Sequence, residues 1–230
     1  MSTRNWLATG LFVLTYPAFF IYHFAAGAHL IPLFAGGLAS WVNILGTLVL
    51  GPFLLVDAVR ENSWRIHIPA FAVFFIISLY TAYFAFYGAG HTASADALVY
   101  NAKLVFSLSN LYFIGYYFRQ GQANLVVVLG SLVVLTCLTF AGTDFRTLTY
   151  VLQEVKLDNG DVTSSYQGFS TAYTIVCVAS LALVTNVRML VPIVYVGVIC
   201  VFLLVSRSEL LGFFAVVSML ALILIASLPP

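Results

Sequence analysis

Residues 123–141 read ANLVVVLGSLVVLTCLTFA, a run from Ala123 to Ala141 with no charged side chain. As a helix rising 1.5 Å per residue, it reaches across the ~30 Å hydrocarbon core of a bilayer. Apolar runs recur on both sides of it, broken by short polar turns. Of the 230 residues, 62% are hydrophobic and 7% charged, where a soluble domain carries about 25% charged residues. These features predict an all-α, polytopic integral membrane protein. A transmembrane barrel would show short alternating segments instead.

The polar breaks predict about eight transmembrane helices in a single helical domain over residues 1–230. The first span runs from Trp6 to about Ala28. It is longer than a signal-peptide core, so it is expected to stay uncleaved despite its Ala26-Gly27-Ala28 ending. The next four run from about Gly37 to Val56, Ile68 to Phe86, Ala97 to Phe118 and Ala123 to Ala141. The one long loop, Gly142 to Gln167, holds the turn signal Asp158-Asn159-Gly160-Asp161 between short alternating stretches. That pattern predicts a small hairpin lying on the membrane. The sixth span runs from Gly168 to Asn186, the seventh from Leu190 to Val205, and the eighth from Leu210 to Leu228. The seventh has room for only about 16 residues, which is marginal for full crossing.

Lysine and arginine in short loops set the orientation. With the N-terminus inside, the inner side collects Arg4, Arg60, Arg65, Arg119 and Arg188. The outer side then carries Arg146, Lys156 and Arg207. The expected placement is a multi-pass membrane protein, N-terminus cytoplasmic and loop 142–167 outside.

Several chemistries find no support in the residues. The formal net charge is +1 without a basic cluster, so no nucleic-acid partner is expected. HExxH, GxSxG, CxxC and the phosphate-binding P-loop are all missing, so neither a metal nor a cofactor is expected. Cys137, Cys177 and Cys200 fall inside apolar runs and read as small core residues. His23, His29, His67 and His91 are scattered without ligand spacing and read as packed or interfacial. Of these, His29 and His91 lie toward the outer side.

The segment VSRSELLG, residues 205–212, is different. Arg207 and Glu209 are its charges, the only ones between Arg188 and the C-terminus. Arg207 lies on the outer side, against the charge bias. One role is a helix-end arginine snorkelling to the interface, with Glu209 as a weak partner. The other is phosphate binding. A guanidinium fork matches phosphate oxygens, Ser206 and Ser208 add hydroxyl donors, and the first amides of the next helix favour anions. Lys103 lies about 9 Å into the fourth span. It either snorkels or supplies a second cation on a stripe shared with Ser107 and Asn110.

The order of these pieces resembles the O-antigen polymerase and O-antigen ligase family, membrane glycosyltransferases that use polyprenyl-diphosphate-linked sugars. An outer loop leads through Tyr166-Gln167-Gly168 into a span, a hairpin of two spans follows, and Ser206-Arg207-Ser208 opens another. The similarity covers about residues 142–226. It implies that Arg207, with Ser206, Ser208 and Lys103, binds the lipid diphosphate, while Tyr166, Gln167 and Glu209 stand nearby. Many family members carry an arginine near the Tyr166-Gln167 position that this chain lacks. They also have a second large periplasmic loop with catalytic residues. The resemblance therefore implies an N-terminal part or a short relative, with no catalytic residue assigned.

The function so implied is polymerisation or transfer of undecaprenyl-diphosphate-linked oligosaccharide at the periplasmic face, during surface polysaccharide synthesis. The glycosyl transfer would be metal-independent. Its partners would be the lipid-linked glycan, membrane lipid and other polysaccharide-assembly membrane proteins. Two alternatives stay open: a transporter or flippase for a lipid-linked or small substrate, and a non-catalytic membrane subunit of a larger complex.

Overall fold

The computed structural model describes residues 3–31, 38–61, 64–87, 92–118, 122–151, 154–156, 162–164, 166–184, 186–204 and 207–226. Among them are nine α-helices and four short strands. In chain order these are α1 (Thr3–Thr15), α2 (Pro17–Gly27), α3 (Leu38–Arg60), α4 (Trp64–Tyr87), α5 (Thr92–Tyr117) and α6 (Gln122–Ala141). The strands β1 (Thr143–Asp144), β2 (Thr149–Tyr150), β3 (Glu154–Lys156) and β4 (Val162–Ser164) follow. Then come α7 (Tyr166–Leu183), α8 (Val187–Leu203) and α9 (Arg207–Ala226). The helical architecture expected from the composition is therefore present. Four stretches are long and apolar enough to cross a bilayer: Thr3–Gly27, Trp41–Arg60, Trp64–Tyr83 and Ala123–Ala141. Gly168–Leu183, Arg188–Leu203 and Leu210–Met219 are apolar but shorter.

The first of these stretches is two helices rather than one. Pro17 opens α2, and Tyr16 before it makes the break. Proline has no N–H for the helix ladder and its ring crowds the preceding turn. Pro52, Pro69 and Pro192 lie inside α3, α4 and α8.

The chain divides into two compact units, Met1–Phe12 with Ala35–Arg119, and Val13–Phe34 with Gln120–Pro230. In the first unit α5 packs against both α3 and α4. Thr47 donates to the Phe106 carbonyl at 3.2 Å, Asn110 to the Asn43 side chain at 3.0 Å, and Tyr117 to Asp57 at 2.8 Å. The close approaches Gly46–Asn110, Gly51–Phe113 and Asp57–Tyr117 advance along both helices together, so α3 and α5 run parallel. A Cβ on Gly46 would stand 2.2 Å from the Asn110 side-chain oxygen, so the two backbones approach closely only because residue 46 is glycine. Most large apolar side chains of α4, including Ile66, Phe75, Ile76, Leu79 and Phe86, are exposed. Such an apolar exterior suits lipid and not water.

The second unit is built around α7, which touches α2, α6, α8 and α9. Phe169, Ser170, Ala172, Tyr173, Val176, Cys177, Ser180 and Leu181 of this helix are all buried. Small side chains along α7 let its neighbours come close, the device by which helices associate in lipid. Gly197 of α8 completes one such layer: a Cβ there would stand 2.7 Å from both Cys177 Sγ and Phe213 Cζ. Cys177 and Cys200 are buried as expected, whereas Cys137 is exposed on α6.

Two hairpins fill the long loop. β3 pairs antiparallel with β4, with Glu154 opposite Ser164 and Lys156 opposite Val162. That is the hairpin read from the Asp158–Asp161 turn signal, which itself lies outside the described residues. The other hairpin, β1 with β2, has no Asn-Gly or Asp-Gly turn to announce it. Asp144 accepts the Arg146 amide at 2.9 Å, an Asx turn, and Leu148 takes a left-handed φ of 53°. Tyr150 then folds back over Gly142, whose Cβ position would be 2.5 Å from the Tyr150 ring.

Candidate functional site

Arg207 is the first residue of α9, three residues ahead of the start expected at Leu210, so Ser208 and Glu209 lie in its first turn. Tyr166 and Gln167 are the first two residues of α7. Ser206 lies outside the described residues. The three helices α7, α8 and α9 are joined by short turns and pack on one another, so α7 and α9 point the same way. Their common level follows from the Cys177–Gly197–Phe213 layer. Tyr166 and Gln167 lie ten or more residues before Cys177, and Arg207 lies six before Phe213. At 1.5 Å per residue both helix starts are about 9–17 Å from that layer, on the same side. Tyr166-Gln167 and Arg207-Ser208-Glu209 thus open two neighbouring helices at the end of the unit that carries the two hairpins.

Lys103 belongs to the other unit, in α5, and its side chain is exposed. Ser107 is half-buried and Asn110 fully buried. The three share a helical stripe; it is closed at Asn110, where Asn43 is the partner, and open at Lys103. His29 is exposed just past the end of α2, with a left-handed φ of 57°, a conformation histidine tolerates better than most residues. His91 lies outside the described residues.

Two clusters were not legible in the sequence. In the first unit Arg4 forms an ion pair with Asp57, which also accepts from Tyr117 at 2.8 Å. The Arg4 guanidinium carbon sits 5.3 Å from the centre of the Phe53 ring, a cation–π distance. Arg4, the C-terminal ends of α3 and α5, and the start of α4 therefore lie at one end of this unit. There His67 Nδ1 is 2.7 Å from the Tyr112 hydroxyl, and the Tyr116 ring centre is 5.0 Å from the imidazole. A charged residue near each span end was the only advance signal.

In the second unit the cluster surrounds Phe169, in the first turn of α7. Its ring lies 4.8 Å from Phe20, 5.1 Å from Tyr150 and 6.3 Å from His23, all edge-on. Phe19 closes on Gly168, whose Cβ position would be 2.7 Å from that ring. Burial pushes the Tyr150 phenol pKa up, so the hydroxyl keeps its proton. Among the described residues of this unit, the buried side-chain polar atoms without a hydrogen-bond partner are His23 Nδ1, Tyr150 Oη, Ser170 Oγ and Thr174 Oγ1.

Among the described residues no group of three or more His, Cys, Asp or Glu side chains is placed to hold a metal ion. The chain matches no protein-family model, and no curated protein or solved structure shows significant similarity to it.

Proposed function

We propose that this chain acts on undecaprenyl-diphosphate-linked oligosaccharide at the periplasmic face of a bacterial inner membrane, polymerising or transferring it during surface polysaccharide synthesis. One observation carries the proposal: Arg207-Ser208-Glu209 and Tyr166-Gln167 open two neighbouring helices of the second unit, at the end bearing the long loop. In the proposed topology the four long apolar stretches, α5, and the shorter α7, α8 and α9 make eight spans, with the N-terminus cytoplasmic. The paired hairpins then lie outside, beside the start of α9. A diphosphate there meets a guanidinium fork, neighbouring hydroxyls and unpaired helix amides together. A sugar hydroxyl attacks the anomeric carbon, the lipid diphosphate leaves, and Arg207 stabilises the charge that grows on it.

The test compares Arg207→Lys with Arg207→Ala in cells that depend on the gene for surface polysaccharide. Lysine keeps the charge and loses the fork, so both variants should shorten the chains and accumulate lipid-linked repeat units. Wild-type chain lengths in both would reduce Arg207 to a membrane anchor.

A transporter or flippase is the second reading, favoured by the polar contacts buried between α3 and α5. Polar groups inside a bundle are costly in lipid and often mark a substrate path. Substrate accumulation in vesicles, abolished by Asn110→Leu without unfolding, would select it.

A further inference from the structure

The exposed face of α6 does not stop at the end of the helix. Val126, Val133, Cys137 and Phe140 form one exposed stripe, while Val128, Leu132, Leu135 and Thr139 are buried on the other side. The stripe belongs to the apolar stretch Ala123–Ala141, which covers about 28 Å as a helix, close to the thickness of a bilayer's hydrocarbon core. Phe140 closes the stripe, and the Phe145 ring stacks on it, with centroids 6.1 Å apart and 25° between the planes. Phe145 lies between β1 and β2. The first hairpin therefore prolongs the exposed apolar stripe of α6 by one layer.

This hairpin is two-sided. Tyr150 is its inner side: it is buried, lies over Gly142 and meets Phe169 edge-on. The Val151 amide donates to the Gly142 carbonyl at 2.8 Å, which ties the second strand to the end of α6. Phe145, Leu148 and Val151 are its outer side, 60%, 52% and 64% exposed. Leu148 stands there with a φ of 53°. A bulky side chain is strained in that left-handed conformation, which glycine adopts freely. Such strain persists where the surroundings impose it, and it clusters at functional positions. Large apolar side chains held out in this way gain nothing from water and gain burial from lipid.

We infer that the β1–β2 hairpin is a membrane-interface anchor, with Phe145, Leu148 and Val151 inserted among phospholipids beside the end of α6. The occupant is lipid because the patch continues, through the Phe140–Phe145 stack, the stripe by which a membrane-crossing α6 meets acyl chains. The depth agrees. Phe145 follows Ala141 by four residues and stacks back on Phe140, so it sits where hydrocarbon gives way to headgroups. Interfacial elements bury their apolar side about 5–10 Å into that boundary. Arg146, exposed between Phe145 and Leu148 in the chain, is long enough to meet lipid phosphates from that level. The anchor goes beyond the proposed function. It rests only on α6 crossing a bilayer, and it holds for either orientation of the chain.

The experiment measures depth on the full chain in nanodiscs of phosphatidylethanolamine and phosphatidylglycerol. With Cys137, Cys177 and Cys200 replaced by alanine, nitroxides are attached singly at Phe145→Cys, Leu148→Cys and, as a deep reference, Val133→Cys. Oxygen partitions into acyl chains, whereas a nickel chelate stays in water. The oxygen-to-chelate relaxation ratio at 145 and 148 should stand severalfold above that of the free label in buffer and below that at 133. A ratio equal to the free label's at either hairpin position puts the hairpin in water and overturns the inference. Shielding of either label from both reagents means that a second copy or another protein covers the patch, and overturns it too. Cross-linking needs no cysteine replacement. In nanodiscs containing a phospholipid with a diazirine near the glycerol, the wild-type chain should carry lipid adducts on residues 142–151, and Phe145→Ser/Leu148→Ser should lose most of them. No adduct there in the wild type, or equal yield in the double variant, overturns the inference. The wild-type adduct alone decides if the cysteine-free chain or the double variant does not fold.

Discussion

Asn110 of α5 donates to Asn43 of α3 at 3.0 Å, and its side chain stands directly over Gly46. The amide pair and the glycine depend on each other. The glycine permits the approach, and the approach brings the amides into bonding distance. Interhelical hydrogen bonds of this kind are worth about 0.6–2 kcal/mol in membranes. Gly46→Ala puts a methyl group where the Asn110 oxygen stands and should cost about 1–3 kcal/mol by overpacking. Asn110→Ala should cost less, and adding it to Gly46→Ala should relieve most of the glycine defect. Reversible unfolding in mixed micelles measures all three, and simple additivity in the double variant would show that the two positions do not share this contact.

The Arg4–Asp57 pair makes an asymmetric prediction. Asp57 is buried, while Arg4 keeps a third of its side chain exposed. Removing Arg4 leaves a carboxylate held by Tyr117 alone, in a place where it cannot reach water. Removing Asp57 leaves a guanidinium that can turn outward. Arg4→Ala should therefore lower the melting temperature more than the Arg4→Ala/Asp57→Asn double variant does. A double variant less stable than Arg4→Ala would contradict this.

Gly197 sets the packing of α7, α8 and α9. A Cβ there meets Cys177 and Phe213 at 2.7 Å each, so Gly197→Ala should destabilise the second unit by about 1–3 kcal/mol. Phe213→Leu should recover part of the loss by vacating the ring position. Cys177 should stay unreactive to a membrane-permeant maleimide in the wild type and become reactive in Gly197→Ala, while Cys137 reacts in both. Labelling confined to Cys137 in the variant would mean that the layer does not open.

Orientation can be read with a single cysteine. With Cys137, Cys177 and Cys200 replaced, Gly160→Cys should react with an impermeant maleimide from outside intact spheroplasts. A cysteine replacing Ser63, between α3 and α4, should react only after permeabilisation. Reaction in the opposite order would invert the proposed topology and move Arg207 to the cytoplasmic side.

The amino-acid sequence alone determined the helical membrane class. Hydropathy acts through composition and length, and both are local: Ala123–Ala141 announces its helix whatever surrounds it. It also determined the second hairpin, since Asp158-Asn159-Gly160-Asp161 carries its own turn chemistry. The neighbours of each helix were a different matter. In a span where nearly every residue is apolar, periodicity does not distinguish the lipid face from the protein face. The centrality of α7, the parallel run of α3 and α5, and the exposure of Cys137 therefore became visible only in three dimensions. The break at Tyr16-Pro17 was written in the proline, yet it hid inside one unbroken hydropathy peak. The two polar clusters lay deeper still. Arg4 and Asp57 are 53 residues apart, and His23, Tyr150 and Phe169 come from three elements, so only tertiary packing brings each set together. Hydrogen bonding acts over about 3 Å, a distance that chain order does not encode.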